Sequence, residues 1–295
     1  MSASRRAVLV ALAAGALAGC GRPAGPASGG RVAAAAPVAV AGSGALGTVT
    51  VPRAVAPAAP GLTRAQVVAR YGHLKPHTWG FGGPGVIRGL HTSRRVIALT
   101  FDACGGPGGS GYDQALIGFL RRREVPATLF LNSRWIDANL AVFRQLAGEP
   151  LFEIANHGTR HLPLSVTGRS AYGIAGTRNA GEVYDEVARN QAKLTRLLGV
   201  PPRWFRAGTG YCDDVAAQIV TAMGVRFVSF SVNGDGGATF TPEQVHSTIT
   251  AAPGGCIVIC HMNHPGSGTA QGIAAAVPRL MAAGYRFVRL SEELR

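Results

Sequence analysis

Asn156-His157-Gly158-Thr159-Arg160-His161 follows directly on the apolar run Leu151 to Ala155. The run reads as a short strand. Two imidazoles four residues apart on the turn after it can close on one divalent metal. Three other apolar runs end in a comparable way: Val96 to Phe101 in Asp102, Trp204-Phe205 in Arg206, and Cys256 to Cys260 in His261. Four polar groups suited to metal-assisted hydrolysis each follow a hydrophobic strand. That is the arrangement of a barrel enzyme whose site lies at the C-terminal rim of its strands.

Working outward, strand and helix signals alternate from about Arg94 to the C-terminus. Candidate strands are 96–101, 125–131, 151–156, 203–207, 225–232, 255–261 and 285–290. Between most of them lie amphipathic patterns of helical period: one after Asp113, then 137–147, 182–198, 213–223, 242–251 and 271–283. Seven strands alternating with helices predict one α/β domain with parallel strands, closed or nearly closed into a (β/α) barrel because the polar groups follow so many different strands. Residues 162–180, rich in Gly, Ser and Thr, form a long connection expected to wall a substrate groove. His73, His77 and His91 in the lead-in show no ligand spacing, and His246 falls within a helical pattern.

The formal charge is +14, yet no Asp or Glu precedes Asp102, while that stretch holds eleven Lys and Arg. From Asp102 onward eighteen basic residues face fifteen acidic ones, a net of +3. The excess therefore belongs to the N-terminal part. No basic helix interleaved with aromatics stands out, so nucleic acid is set aside, and the basic stretch suits an anionic membrane surface or wall polymer.

Residues 1–20 read as an export signal, with Arg5-Arg6, an apolar stretch from Ala7 to Leu17, and Leu17-Ala18-Gly19-Cys20. The last four residues resemble a lipobox that would make Cys20 a lipid-anchored first residue, and Ser4-Arg5-Arg6 resembles a twin-arginine signal. Residues 21–61 form an Ala-, Gly- and Pro-rich tether, residues 62–93 a lead-in, and residues 94–295 the catalytic domain. Cys256 and Cys260, four apart on one strand, are roughly 13 Å from each other and cannot pair. Cys104 and Cys212 follow different strands near the expected site, where an exported protein can oxidise such a pair.

With these motifs in place, residues 94–292 resemble the polysaccharide deacetylase family, the carbohydrate esterases with a NodB homology domain. The resemblance implies a distorted barrel that removes acetyl groups from glycans with a divalent metal, usually zinc. The family's Thr-Phe-Asp-Asp-Gly appears as Thr100-Phe101-Asp102-Ala103-Cys104-Gly105, which makes Asp102 the base. Ala103 stands where the family's second Asp binds metal. His157 and His161 match His-Ser/Thr-x-x-His with Gly158 in place of the hydroxyl residue. For the missing ligand the candidates are Asp113, Cys104 or an extra water; Asp113 is expected ahead of Cys104, although it equally suits a helix N-cap.

Arg206 matches the arginine that holds the base. Thr209, in Arg206-Ala207-Gly208-Thr209-Gly210-Tyr211, stands where the family offers a backbone N–H to an oxyanion. Asp235 fits the fourth motif only with one residue skipped. It is either a carboxylate orienting Arg206 or a turn residue. Ile259-Cys260-His261 fits Leu-x-His and makes His261 the general acid. Tyr211 and His264 are expected to line or support the pocket. The resemblance and the N-terminus together predict an exported, membrane-anchored enzyme acting on peptidoglycan or an exopolysaccharide. Its rivals are a glycan-binding protein without turnover, or a hydrolase of another amide or ester.

Overall fold

A computed structural model of the chain describes residues 61–294. The expected export signal, Cys20 and all but the last residue of the expected tether lie outside the described residues. The elements in chain order begin with α1 (Arg64–Tyr71), β1 (Trp79–Gly80), β2 (Val96–Ala103), α2 (Gln114–Arg122), β3 (Ala127–Leu131), α3 (Ser133–Ala138) and α4 (Leu140–Ala147). Next come β4 (Phe152–Asn156), α5 (Ala180–Leu198), β5 (Trp204–Phe205), β6 (Cys212–Asp213), α6 (Asp214–Ala222), β7 (Arg226–Phe227) and β8 (Val232–Asn233). The chain ends with α7 (Pro242–Thr250), β9 (Ile257–His261), α8 (Thr269–Ala282), β10 (Arg286–Phe287) and α9 (Leu290–Glu293). No helix among the described residues is long and apolar enough to cross a membrane.

The main sheet runs β7-β5-β4-β3-β2-β9-β8, with β10 paired to β2, and every pairing in it is parallel. The expected distorted α/β barrel is therefore present. Two local features explain its distortion. The first half of β2 pairs with β10 through Val96 and Ile97, while its second half pairs with β3 from Thr100 onward. The stretch expected as one strand, 225–232, is two short ones because it changes partner. Val228 N–H donates to Phe205 O on one side, and Ser231 N–H donates to Ile257 O on the other. The two ends of the sheet thus lie on one segment, and the sheet curls back on itself.

Every residue of β2 is buried, as expected for a parallel strand covered on both faces. Alternation sorts its side chains. Ile97, Leu99 and Phe101 face the surrounding helices with Leu116, Leu120 and Val277, whereas Val96 and Ala98 face an inner cluster with Phe130, Ala155, Trp204 and Ile259. Cys260 and Cys256 join the outer, helix-facing core as small apolar residues. Capping fixes the helices at the rim: Asp113 Oδ1 accepts from Leu116 N–H, and Asn132 Oδ1 accepts from Arg134 N–H. The lead-in packs on the barrel: α1 lies against α5 and α6, and β1 pairs antiparallel with β6.

Candidate active site

The inner-facing parity of four strands carries the chemistry. On β2, Val96, Ala98 and Thr100 lead to Asp102; on β4, Ala155 leads to His157; on β5, Trp204 leads to Arg206; on β9, Ile257 and Ile259 lead to His261. The β2–β9 register sets Asp102 directly beside His261. A cavity of about 620 Å³ opens there, lined by Asp102, Cys104, His161, Thr209, His261 and His264 among others.

Asp102 and Arg206 are buried together. Arg206 Nη1 donates to Asp102 Oδ1 at 2.7 Å. Its remaining donors go to the carbonyls of Val228 (3.4 Å) and Ser229 (3.0 Å), and its guanidinium lies 4.0 Å from the Phe130 ring centroid. The arginine is thereby fixed on three sides, and it holds the carboxylate in one orientation. Asp102 Oδ2 lies 3.3 Å from His157 Nε2. His157 Nδ1 lies 3.0 Å from the Arg206 carbonyl, to which it donates, and this turns Nε2 toward Asp102 and toward Cys104, whose Sγ is 3.9 Å away.

Among the described residues, the group whose donor atoms all lie within 4.8 Å of one another is Cys104, His157 and His161. Burial pushes the Cys104 thiol up, but the His161 charge and hydrogen bonds from His157, His161 and His261 bring it well below its ordinary value. Burial likewise opposes a charge on His157, yet Asp102 and Cys104 raise its pKa. A thiolate facing two imidazoles is a donor set that suits zinc. The expected third ligand, Asp113, is not in this group. It caps α2 through Oδ1, while its Oδ2 is buried without a hydrogen-bond partner. The disulfide considered for Cys104 and Cys212 is absent. Both thiols are free, and burial pushes Cys212 up to about 12.

Asp235 is also placed differently from one of its two expected roles. It partners His261, not Arg206. Its Oδ1 lies 3.0 Å from His261 Nδ1, and its Oδ2 accepts from His261 N–H at 2.6 Å and Thr269 Oγ1 at 2.9 Å. Burial opposes a charge on His261, but Asp235 raises its pKa well above the usual histidine value. Asp235 stays low in spite of its own burial because His261 and Thr269 stabilise the carboxylate. Thr209 has left-handed backbone (φ 64°) at the cavity wall. Tyr211 stands behind that wall, its ring centroid 4.3 Å from Phe81 and 5.5 Å from Trp79. The 162–180 connection supplies Leu162, Tyr172 and Ile174 to the cavity.

Sequence reasoning missed the residue that shapes the His157–His161 turn. Glu186, buried on α5, accepts backbone N–H groups from Thr159 (3.0 Å), Arg160 (2.9 Å) and Leu162 (3.3 Å) on its Oε1. Gly158 has φ +75°, and a Cβ there would stand 2.5 Å from that same oxygen. The glycine in place of a hydroxyl residue was the one legible sign of this partner. Phe81, Arg134 and Arg160 also line the cavity with no motif to announce them.

The polysaccharide deacetylase family model matches residues 89–228, the stretch that carries Asp102, His157, His161 and Arg206. A peptidoglycan-N-acetylglucosamine deacetylase of Bacillus cereus is 27% identical over 207 residues, which is 69% of this chain and 90% of that protein. The uncharacterized protein YlxY of Bacillus subtilis is 20% identical over 185 residues, covering 62% of this chain and 53% of its own length. The chain thus spans about half of that second relative. Among solved structures, a CE4 family pseudoenzyme from Bacillus anthracis superposes with TM-score 0.61 at 20% identity, covering 72% of this chain and 70% of that one.

Proposed function

We propose that this chain, a polysaccharide deacetylase by family, is an exported, metal-dependent enzyme that removes acetyl groups from amino sugars of peptidoglycan or a related glycan. The observation that carries this reading is the convergence of three units in one cavity. These are a base held by arginine, an acid held by a carboxylate, and a Cys104-His157-His161 donor set. A divalent metal bound by those three residues supplies Lewis-acid polarisation of a carbonyl and makes water easier to deprotonate.

Asp102 takes the proton of the attacking water, and Arg206 keeps that carboxylate aimed beforehand. His261, kept protonated by Asp235, gives its proton to the departing sugar amine. The Thr209 turn faces the oxygen on which charge gathers, where a backbone N–H needs no particular side chain. An export signal, an anchor at Cys20 and a basic tether support a place at the outer face of the membrane, beside the wall.

The test uses the full chain, stripped of metal and then given zinc. Acetate release from peptidoglycan fragments and N-acetylglucosamine oligomers is expected, and His157→Ala abolishes it. A folded protein that takes up zinc through His157 and releases no acetate from any glycan overturns the reading. Ala103 and the pseudoenzyme among similar structures favour one rival, a glycan-binding protein without turnover. His261→Ala separates the two, because a binder keeps its affinity and has no activity to lose.

A further inference from the structure

The cavity that holds Asp102 and His261 has a strongly one-sided charge. Among the described residues lining it, Asp102 is the sole carboxylate, and that group already serves Arg206. Arg134 and Arg160 both line the cavity, as do His161 and His264. Neither arginine forms an ion pair among the described residues.

Arg134 is the more telling of the two. Its guanidinium lies across the loop that follows Cys104, where a Cβ at Gly106 would stand 2.7 Å from Nη1. Gly106 has φ +82°, so this loop is shaped to leave room for the arginine. What it touches there is weak. Nε is 3.4 Å from Asn132 Oδ1, and Nη2 is 3.5 Å from the Cys104 carbonyl. Nη1 has no hydrogen-bond acceptor among the described residues. Arg160 is exposed and also lines a second groove with Glu182 and Glu186, so part of its charge is answered there. Arg134 has no such second neighbour among the ion pairs.

A guanidinium held in a sugar-sized cavity with no carboxylate of its own to pair with is a receptor for one. From this we infer that the substrate carries a carboxylate on the acetylated sugar or its immediate neighbour, and that Arg134, assisted by Arg160, selects for it. The inference rests on the glycan reading above and narrows it from neutral acetylated sugars to anionic ones.

The test measures binding by calorimetry on the zinc-loaded full chain. The probes are peptide-free strands of N-acetylglucosamine and N-acetylmuramic acid with free lactyl carboxylates, and the same strands methyl-esterified. The acid is expected to bind about ten- to hundredfold more tightly than the ester. Arg134→Gln is expected to erase most of that ratio by weakening the acid alone, and Arg160→Gln to reduce it less. Wild-type affinities for acid and ester within twofold of each other overturn the inference. So does no binding of the acid at all, or a ratio that survives in both variants. Acetate release measured on the same samples reports separately on deacetylation. Turnover without charge preference sinks the arginine role alone, and charge preference without turnover sinks the enzyme reading alone.

Discussion

Replacing Glu186 by leucine tests whether one buried carboxylate shapes the metal-binding turn. Its Oε1 accepts three backbone N–H groups, from Thr159, Arg160 and Leu162, which bracket His161. Leucine fills much of the volume and accepts none of them. A donor left unsatisfied costs about 1–3 kcal/mol, the low end applying where water can reach it. Thr159 and Leu162 are half-buried and Arg160 is exposed, so about 1 kcal/mol each applies, giving about 3 kcal/mol in all.

Glu186→Gln is the control. An amide oxygen placed at Oε1 keeps all three contacts and forfeits only the charge and the 3.1 Å contact from Oε2 to Arg160 N–H. That variant should lose about 1 kcal/mol. Urea denaturation of metal-free protein reads the stability. Competition with a chromophoric chelator reads zinc affinity, expected to weaken by about 10- to 100-fold for the leucine variant, as for other lost supports of a ligand. A leucine variant within about 0.5 kcal/mol of wild type, with zinc affinity unchanged, would refute the argument.

Three more predictions concern neighbouring residues. Cys104→Ser should weaken zinc binding by more than the roughly 10- to 100-fold that loss of an outer support costs, and unchanged affinity in the same chelator competition would remove Cys104 from the donor set. Gly208→Ala puts a Cβ 2.2 Å from the His161 carbonyl carbon; a loss of about 1–3 kcal/mol is expected in urea denaturation, and none would show that the two turns do not touch. For the His261–Asp235 pair the signs are opposite. The raised histidine stabilises fully below about pH 6.5, with the gain lost as pH rises through the folded value. The depressed carboxylate stabilises fully above about pH 3.9, with the gain lost as pH falls. Their joint contribution is therefore complete between about pH 4 and 6.5, and the stability gap between wild type and His261→Ala should narrow as pH rises from there. A gap independent of pH contradicts the pairing.

The strands were legible wherever a buried apolar run ended in a polar residue, because parallel strands covered on both faces admit few polar side chains. Val96 to Phe101 and Cys256 to Cys260 are of this kind, and their alternation alone aims Asp102 and His261 inward. The change of partner between Phe227 and Val232 was not legible, since hydrogen bonding along an extended segment leaves no mark on side-chain period. Long-range partners were hidden for a related reason. Asp235 reaches His261 across 26 positions and Glu186 reaches Thr159 across 27. Neither spacing has a local signature. Asp113 was ambiguous in sequence because a carboxylate before a helix suits both a cap and a ligand, and geometry gives it the cap.

The segment where the sheet changes partner has one more consequence. Val228 and Ser229 give their N–H groups to β5 and to Ile87, and turn their carbonyls to the Arg206 guanidinium. The seam of the barrel and the grip on the base's arginine share the backbone of Val228 and Ser229. A fluctuation that unzips this seam also loosens Arg206, and with it the hold on Asp102. Opening of the barrel seam and loosening of its base are thereby coupled. Amide exchange at Val228 and Ser229 would count, event by event, how often the chemistry is switched off.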